Sequence, residues 1–169
     1  MANLSQIEKF LKSKNLKYKV IDLGGEVYKV KEVIKAGVQE DEIVKTLIVR
    51  TDRQNQKLTK NKRSTKNWQF LALAVRGKDR VDFKKVRRLF GSKCELASSA
   101  EVGKVVGVPV GAVCPVLIEV PVYFDRQVMN LKRVNMGSGD LTKGLEMKLT
   151  DLLAAVGEYQ VADLVIDDS

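Results

Sequence analysis

The sequence predicts a mixed α/β (α+β) domain, and three observations carry that prediction. Stretches with apolar residues at helical spacing interleave with apolar strand-like runs. Several of those runs follow one another with no helix between them, which argues against a doubly wound parallel sheet. No repeat, low-complexity tract or linker divides the 169 residues, so residues 1–169 are read as one domain. With 44% hydrophobic and 30% charged residues, the chain is long enough to bury one sizeable core.

Taken in order, Ser5 and Glu8 have capping-box spacing, and Ile7, Phe10 and Leu11 repeat helically, predicting a helix over residues 5–14. After Gly24 and Gly25, a short stripe of Val30, Val33 and Ile34 closes at Gly37. Residues 43–49, "IVKTLIV", read as a strand apolar almost throughout and therefore central, and residues 68–75, "WQFLALAV", as a second. Between these strands, residues 53–67 carry six Lys or Arg and no acid. This insertion is expected to project as a basic arm.

Residues 82–91 place Phe83, Val86, Leu89 and Phe90 on one helical face, with Asp82 as cap and Gly91 as stop. The opposite face holds Lys84, Lys85, Arg87 and Arg88. Ser98 and Glu101 form another capping box, opening a helix with Val102, Val105 and Val106 inward and ending near Gly107. The loop "VGAVCP", residues 110–115, follows, stiffened by Pro109 and Pro115. Ile118, Val120, Val122 and Phe124 then alternate as in a strand, residues 133–136 form a shorter one, and Leu145, Met147 and Leu149 alternate again. Thr150 or Asp151 is expected to cap a last helix, and "QVADLVI" to add a terminal strand.

Composition narrows the function. Thirty Lys+Arg against 21 Asp+Glu leave a net charge of +9, which favours a polyanionic partner, with nucleic acid first. No apolar run approaches the roughly 20 residues of a membrane span, so a cytoplasmic protein without a membrane partner is expected. Two cysteines, Cys94 and Cys114, and no histidine give neither a disulfide framework nor a zinc site, so no metal and no cofactor are expected. A monomer is the default.

Without histidine, Cys114 has no imidazole base, and a buried apolar role outweighs a nucleophilic one. "GSGDLTKG", residues 137–144, lacks the Gly-Lys-Ser/Thr ending of a phosphate loop and reads either as a flexible turn or as a site. Two readings of Lys45 stand: it faces solvent, or it is a cation held on a sheet beside a pocket, where it grips a phosphate or polarises a carbonyl. Thr46 then points to the other face. Gly111 lets main-chain groups approach a ligand, so recognition there needs no side chain.

The stretches "EIVKTLIV", "LALAVRGKDRVDFKKV", "ASSAEVGKVVGVPVGAVCP" and "VYFDRQVMNLKRVNMGSGDLTKGLEMKLTDLLAAVG" resemble, in that order, the YbaK and prolyl-tRNA-synthetase editing-domain family. The resemblance implies a mixed α/β fold with a central, partly barrel-like sheet flanked by helices. It implies a trans-acting aminoacyl-tRNA deacylase that removes a wrongly attached small amino acid such as alanine, serine or cysteine. The partners implied are the acceptor end of tRNA and an aminoacyl-tRNA synthetase.

Carried onto this sequence, the family's embedded lysine is Lys45 and its Gly-x-x-x-Pro loop is Gly111 to Pro115. Lys45 and Gly111 become the expected catalytic pair. Thr46, Ala112, Val113, Cys114, Pro115, Gly137 and Ser138 are the expected substrate contacts. The basic insertion (Arg53, Lys57, Lys60, Lys62, Arg63, Lys66) and Lys84, Arg87 and Arg88 are expected to hold the acceptor stem. Members of the family are thought to rely on the substrate's own hydroxyl or thiol and on positioned water, which suits a chain without histidine. The alternative is a tRNA- or RNA-binding accessory protein with the same fold and no hydrolysis.

Overall fold

A computed structural model describes residues 3–52 and 68–167. Helix α1 (Leu4–Ser13) buries Ile7 and Leu11 as their spacing predicts, but starts before Ser5. Asn3 Oδ1 accepts the Gln6 N–H and Gln6 Oε1 accepts the Asn3 N–H, both at 2.9 Å. Asparagine caps as well as serine, so the earlier reciprocal pair displaces the Ser5–Glu8 one. Strand β1 (Lys19–Asp22) follows, then α2 (Val30–Lys35), none of whose residues is buried.

The central pair is β2 (Val44–Asp52) and β3 (Trp68–Arg76), antiparallel, with Val44 opposite Arg76 and Asp52 opposite Trp68. Helix α3 (Phe83–Phe90) keeps its expected ends: Asp82 accepts the Lys84 and Lys85 N–H groups, and Gly91 adopts φ +65°. Strand β4 (Cys94–Leu96) pairs with Val49–Thr51 of β2, and α4 (Ser99–Val106) opens on the Ser98–Glu101 box and stops at Gly107, φ +75°. Then come β5 (Val122–Asp125), β6 (Arg133–Gly137), β7 (Lys143–Lys148), α5 (Leu149–Val156) and β8 (Gln160–Ala162).

Among the described residues these strands make two sheets, a mixed one in the order β4-β2-β3-β5-β8 and an antiparallel one in the order β1-β7-β6. They meet where Ile43 bridges Asn135 and do not close into a barrel. The larger core lies between the sheets, with α1, α4 and α5 supplying Ile7, Val102 and Leu152 around Phe124 and Leu145. A smaller core on the other face of the mixed sheet packs Val86 of α3 on Val49, Leu73 and Val75.

Local pattern misled in three places. The alternation from Ile118 becomes a strand only at Val122, because Pro121 has no N–H for the ladder and lends its carbonyl to Ala72 N at 2.8 Å instead. Helix α5 is preceded by Lys148, with no side-chain cap from Thr150 or Asp151. Strands β1, half exposed, and β4, three residues long, carry too little periodic signal to be read in advance. No helix among the described residues is long and apolar enough to cross a membrane.

Candidate active site

Strand β4 covers β2 only over Val49–Thr51, so Val44 to Ile48 run past its end. A cleft of about 300 Å³ opens along this stretch, with the 110–113 loop and the β6–β7 hairpin as its other walls. Val30 and Val33, the apolar stripe of α2, line the cleft instead of entering the core. That placement explains a helical stripe without burial. Apolar side chains dominate the walls, as in most small-molecule sites.

Lys45 shares the β2 face of Leu47 and Val49, on which Val86 of α3 packs, and borders the cleft. Its Nζ donates to the Gly77 carbonyl at 3.2 Å. Partial burial pushes its pKa below the ordinary lysine value; the Asp79 carboxylate opposes that shift and the Arg80 guanidinium adds to it. Thr46, one residue on, also borders the cleft, and its buried hydroxyl has no hydrogen-bond partner among the described residues.

Gly111 sits at φ +98°, and a Cβ there would lie 3.1 Å from Tyr28 Cα and 3.2 Å from the Val27 carbonyl oxygen. Both conformation and close approach call for glycine at this position. Gly137 is tighter: a Cβ would fall 2.4 Å from the Val113 carbonyl oxygen. Two residues on, Gly139 N–H donates to the Ala112 carbonyl at 2.7 Å. The 110–113 loop and the hairpin turn are therefore one interlocked main-chain unit. "GSGDLTKG", residues 137–144, joins β6 to β7 as a turn, with Gly137, Asp140 and Gly144 at the cleft.

Ser138 is fully buried, and its Oγ is engaged within the turn, 2.7 Å from the Lys143 carbonyl and 3.2 Å from the Asp140 carbonyl and N–H. Asp140 accepts from the Thr142 N–H and hydroxyl, each at 2.8 Å, and these bonds hold its carboxyl below the usual range. Cys114 borders a separate void of about 20 Å³, room for roughly one water. Burial pushes its thiol up to about 12, so it is a thiol and not a thiolate at neutral pH. Pro115 lines a groove beyond the loop.

Of the residues singled out in the sequence, Lys45, Thr46, Gly111, Val113 and Gly137 thus come together at the cleft. Ala112, Cys114, Pro115 and Ser138 are not among its walls. Lys84, Arg87 and Arg88 are exposed on α3, and Arg53, Lys57, Lys60, Lys62, Arg63 and Lys66 lie outside the described residues. Tyr28 and Asn135 also line the cleft without having been singled out. Tyr28, 51% exposed, donates its hydroxyl to Glu26 at 2.7 Å; Asn135 donates to Glu42 at 3.0 Å. An aromatic residue three positions past the Gly24–Gly25 turn is the local sign of Tyr28 in the sequence.

The geometry has counterparts of known relationship. Residues 25–155 match the family model described as the aminoacyl-tRNA editing domain. The hypothetical protein APE2540 has a similar structure, with TM-score 0.77 and 29% identity over 95% of this chain and 99% of that one. A proposed trans-editing enzyme for prolyl tRNA synthetase is similar at TM-score 0.75 and 25% identity, over 99% of each chain. Comparison with curated proteins finds no match. A single mixed α/β domain of this architecture, matched over most of its length, belongs to the aminoacyl-tRNA editing domain family of the YbaK and prolyl-tRNA-synthetase editing type.

Proposed function

We propose that this chain acts in trans as a deacylase on mischarged tRNA, hydrolysing the ester between a small amino acid and the terminal ribose. The observation that carries the reading is Lys45, an ammonium fixed by the Gly77 carbonyl at the wall of an apolar cleft that also holds Gly111 and Gly137. In a chain without histidine, catalysis rests on orientation and electrostatics. Water adds to the ester carbonyl, the acyl carbon–oxygen bond breaks, and the ribose oxygen leaves with a proton. The products are the free amino acid and an uncharged tRNA.

In this reading Lys45 stabilises negative charge, either on the carbonyl oxygen as water adds or on the phosphate of the terminal nucleotide. The main chain around Gly111 orients the amine or a ribose hydroxyl. The cleft, at about 300 Å³, is at the small end of ligand sites, which suits alanine, serine or cysteine. The need for such a step is physical: a synthetase pocket separates substrates differing by one methylene by only about 1–3 kcal/mol. The exposed Lys84, Arg87 and Arg88 would meet the acceptor stem, in a cytoplasmic protein working beside a synthetase.

The test is release of amino acid from tRNAs charged with alanine, serine, cysteine, threonine or proline, by the wild-type chain and by Lys45→Ala. Turnover of at least one small substrate, lost in the variant, is expected. A variant with full activity would remove Lys45 from the mechanism. The absence of histidine favours the second reading, an RNA-binding accessory protein; binding of the whole panel without turnover would establish it.

A further inference from the structure

The turn that joins β3 to α3 passes the end of the Lys45 side chain. Gly77 binds the entry to β2 on both sides: its N–H donates to the carbonyl of Ile43, just before the strand, at 2.7 Å, and its carbonyl accepts from Lys45 Nζ at 3.2 Å. A side chain at Gly77 would crowd its neighbours, since a Cβ would lie 2.8 Å from Ile43 Cγ2 and 3.1 Å from Val30 Cγ1. An added methyl would force the turn or one of these two cleft-wall side chains to shift.

Two residues on, Asp79 is 6% exposed and gripped by Arg76 through Nε at 2.7 Å and Nη2 at 3.1 Å. Its own N–H closes the turn on the Arg76 carbonyl at 3.0 Å. From outside, the C-terminal segment pins the same turn: Ile166 N–H donates to the Arg80 carbonyl at 2.9 Å, and the Leu164 carbonyl accepts the Asp82 N–H at 2.8 Å. A turn tied at so many points keeps its carbonyl and its carboxylate in fixed positions.

We infer that the 76–80 turn is a holder for Lys45: the Gly77 carbonyl fixes the ammonium at the cleft wall, and the buried Asp79–Arg76 pair braces the turn that presents that carbonyl. Asp79 and Gly77 are positioning residues, acting through Lys45 and not on substrate. The balance of charge around Lys45 agrees with this. Burial disfavours its charged form, Asp79 favours it and Arg80 disfavours it. Lys78 on the same turn is paired with Asp41 at 3.2 Å. Across the cleft stand Lys29, Asp140, which is bound by Thr142, and Lys143, which is paired with Asp22 at 3.3 Å.

The inference rests on the deacylase reading only for its effect on turnover, so its test has a readout independent of activity. In the full chain carrying ¹³Cε-labelled lysine, NMR follows the titration of Lys45, whose resonance is identified by its loss in Lys45→Arg. Asp79→Asn should lower the midpoint by about one pH unit, and Gly77→Ala, which forces the carbonyl aside, by about half a unit. Arg80→Gln, at an exposed position that does not threaten folding, should raise it by roughly 0.3 unit.

A midpoint unmoved by Gly77→Ala in a folded chain removes the carbonyl from the device. Unmoved midpoints in both Asp79→Asn and Arg80→Gln overturn the device as a whole. If Asp79→Asn does not fold, the upward shift in Arg80→Gln decides alone. The alkaline limb of kcat/KM should follow the same order of variants. A wild-type chain inactive on every charged tRNA, with the NMR order intact, defeats the deacylase reading and supports the holder. Turnover with no shifts does the reverse.

Discussion

A lysine of strand β2 and a lysine of helix α3 have opposite surroundings. Lys85, at the start of α3, donates to Asp163 at 3.0 Å, Asp167 at 2.9 Å and the Val165 carbonyl at 2.7 Å, and those partners push its pKa up. Lys45, at the start of β2, has the Gly77 carbonyl as its one hydrogen-bond acceptor among the described residues, and burial pushes its pKa down. The first ammonium is saturated and fastens the C-terminal segment to α3. The second retains donor capacity toward a cleft. A lysine held in place yet short of partners is poised for a ligand, whereas a fully satisfied one is a fastening.

The largest effect should come from removing the poised charge while keeping its stem. Lys45→Met is expected to lower deacylation by about 10²–10³-fold, the scale for losing one electrostatic contact to the reacting centre. Its melting temperature should not fall, since a half-buried ammonium is replaced by an apolar chain of similar length. A variant that melts earlier and still turns over would invert the comparison and make Lys45 the fastening.

Gly137→Ala comes next, because its methyl would meet the Val113 carbonyl and drive the 110–113 loop off the hairpin. Roughly a hundredfold loss of kcat/KM is expected, the cost of about 1 Å of misplacement. Wild-type kinetics would show that the main-chain unit has no part in orientation.

Lys85→Met should lower the melting temperature and leave the rate per folded molecule unchanged. The pH dependence has a definite sign. Asp167 is held below its ordinary 3.8, chiefly by its hydrogen bond to Lys85, so its contribution is present above that value and is lost as pH falls through the lower folded value. Lys85 is raised above 10.5, so its contribution persists through neutral pH and is lost as pH rises past the folded value. The difference in melting temperature between the two proteins should therefore hold steady near neutrality and shrink in acid.

The smallest effect on activity belongs to Cys114→Ala. The thiol is buried away from the cleft and protonated at neutral pH, so rates should stay within about twofold, with about 1 kcal/mol lost to packing. Iodoacetamide should leave Cys114 of the native chain unmodified at pH 8, as mass spectrometry would read directly.

Legibility in the sequence followed the range of each interaction. Helices α3 and α4 could be read to the residue because caps, apolar spacing and αL glycines all act within a few positions. Lys45 stood out for a local reason too, as a charge in a run otherwise made for burial. Cys114 drew notice by residue type, and burial then settled that it is a packed thiol. Gly77 and Asp79 gave no local sign, since their meaning depends on Ile43, Val30 and Arg76 arriving beside them.

By itself the sequence determined the fold class, the absence of an imidazole, the basic balance and most segment identities, because composition and short-range periodicity decide which surfaces must be buried. Only the tertiary structure decided that the α2 stripe faces a cleft, that β4 stops short and leaves the start of β2 open, and that two glycine segments lock together. Each depends on contacts between residues tens of positions apart, where a few ångströms of backbone placement, invisible in a linear pattern, separate a filled core from a site.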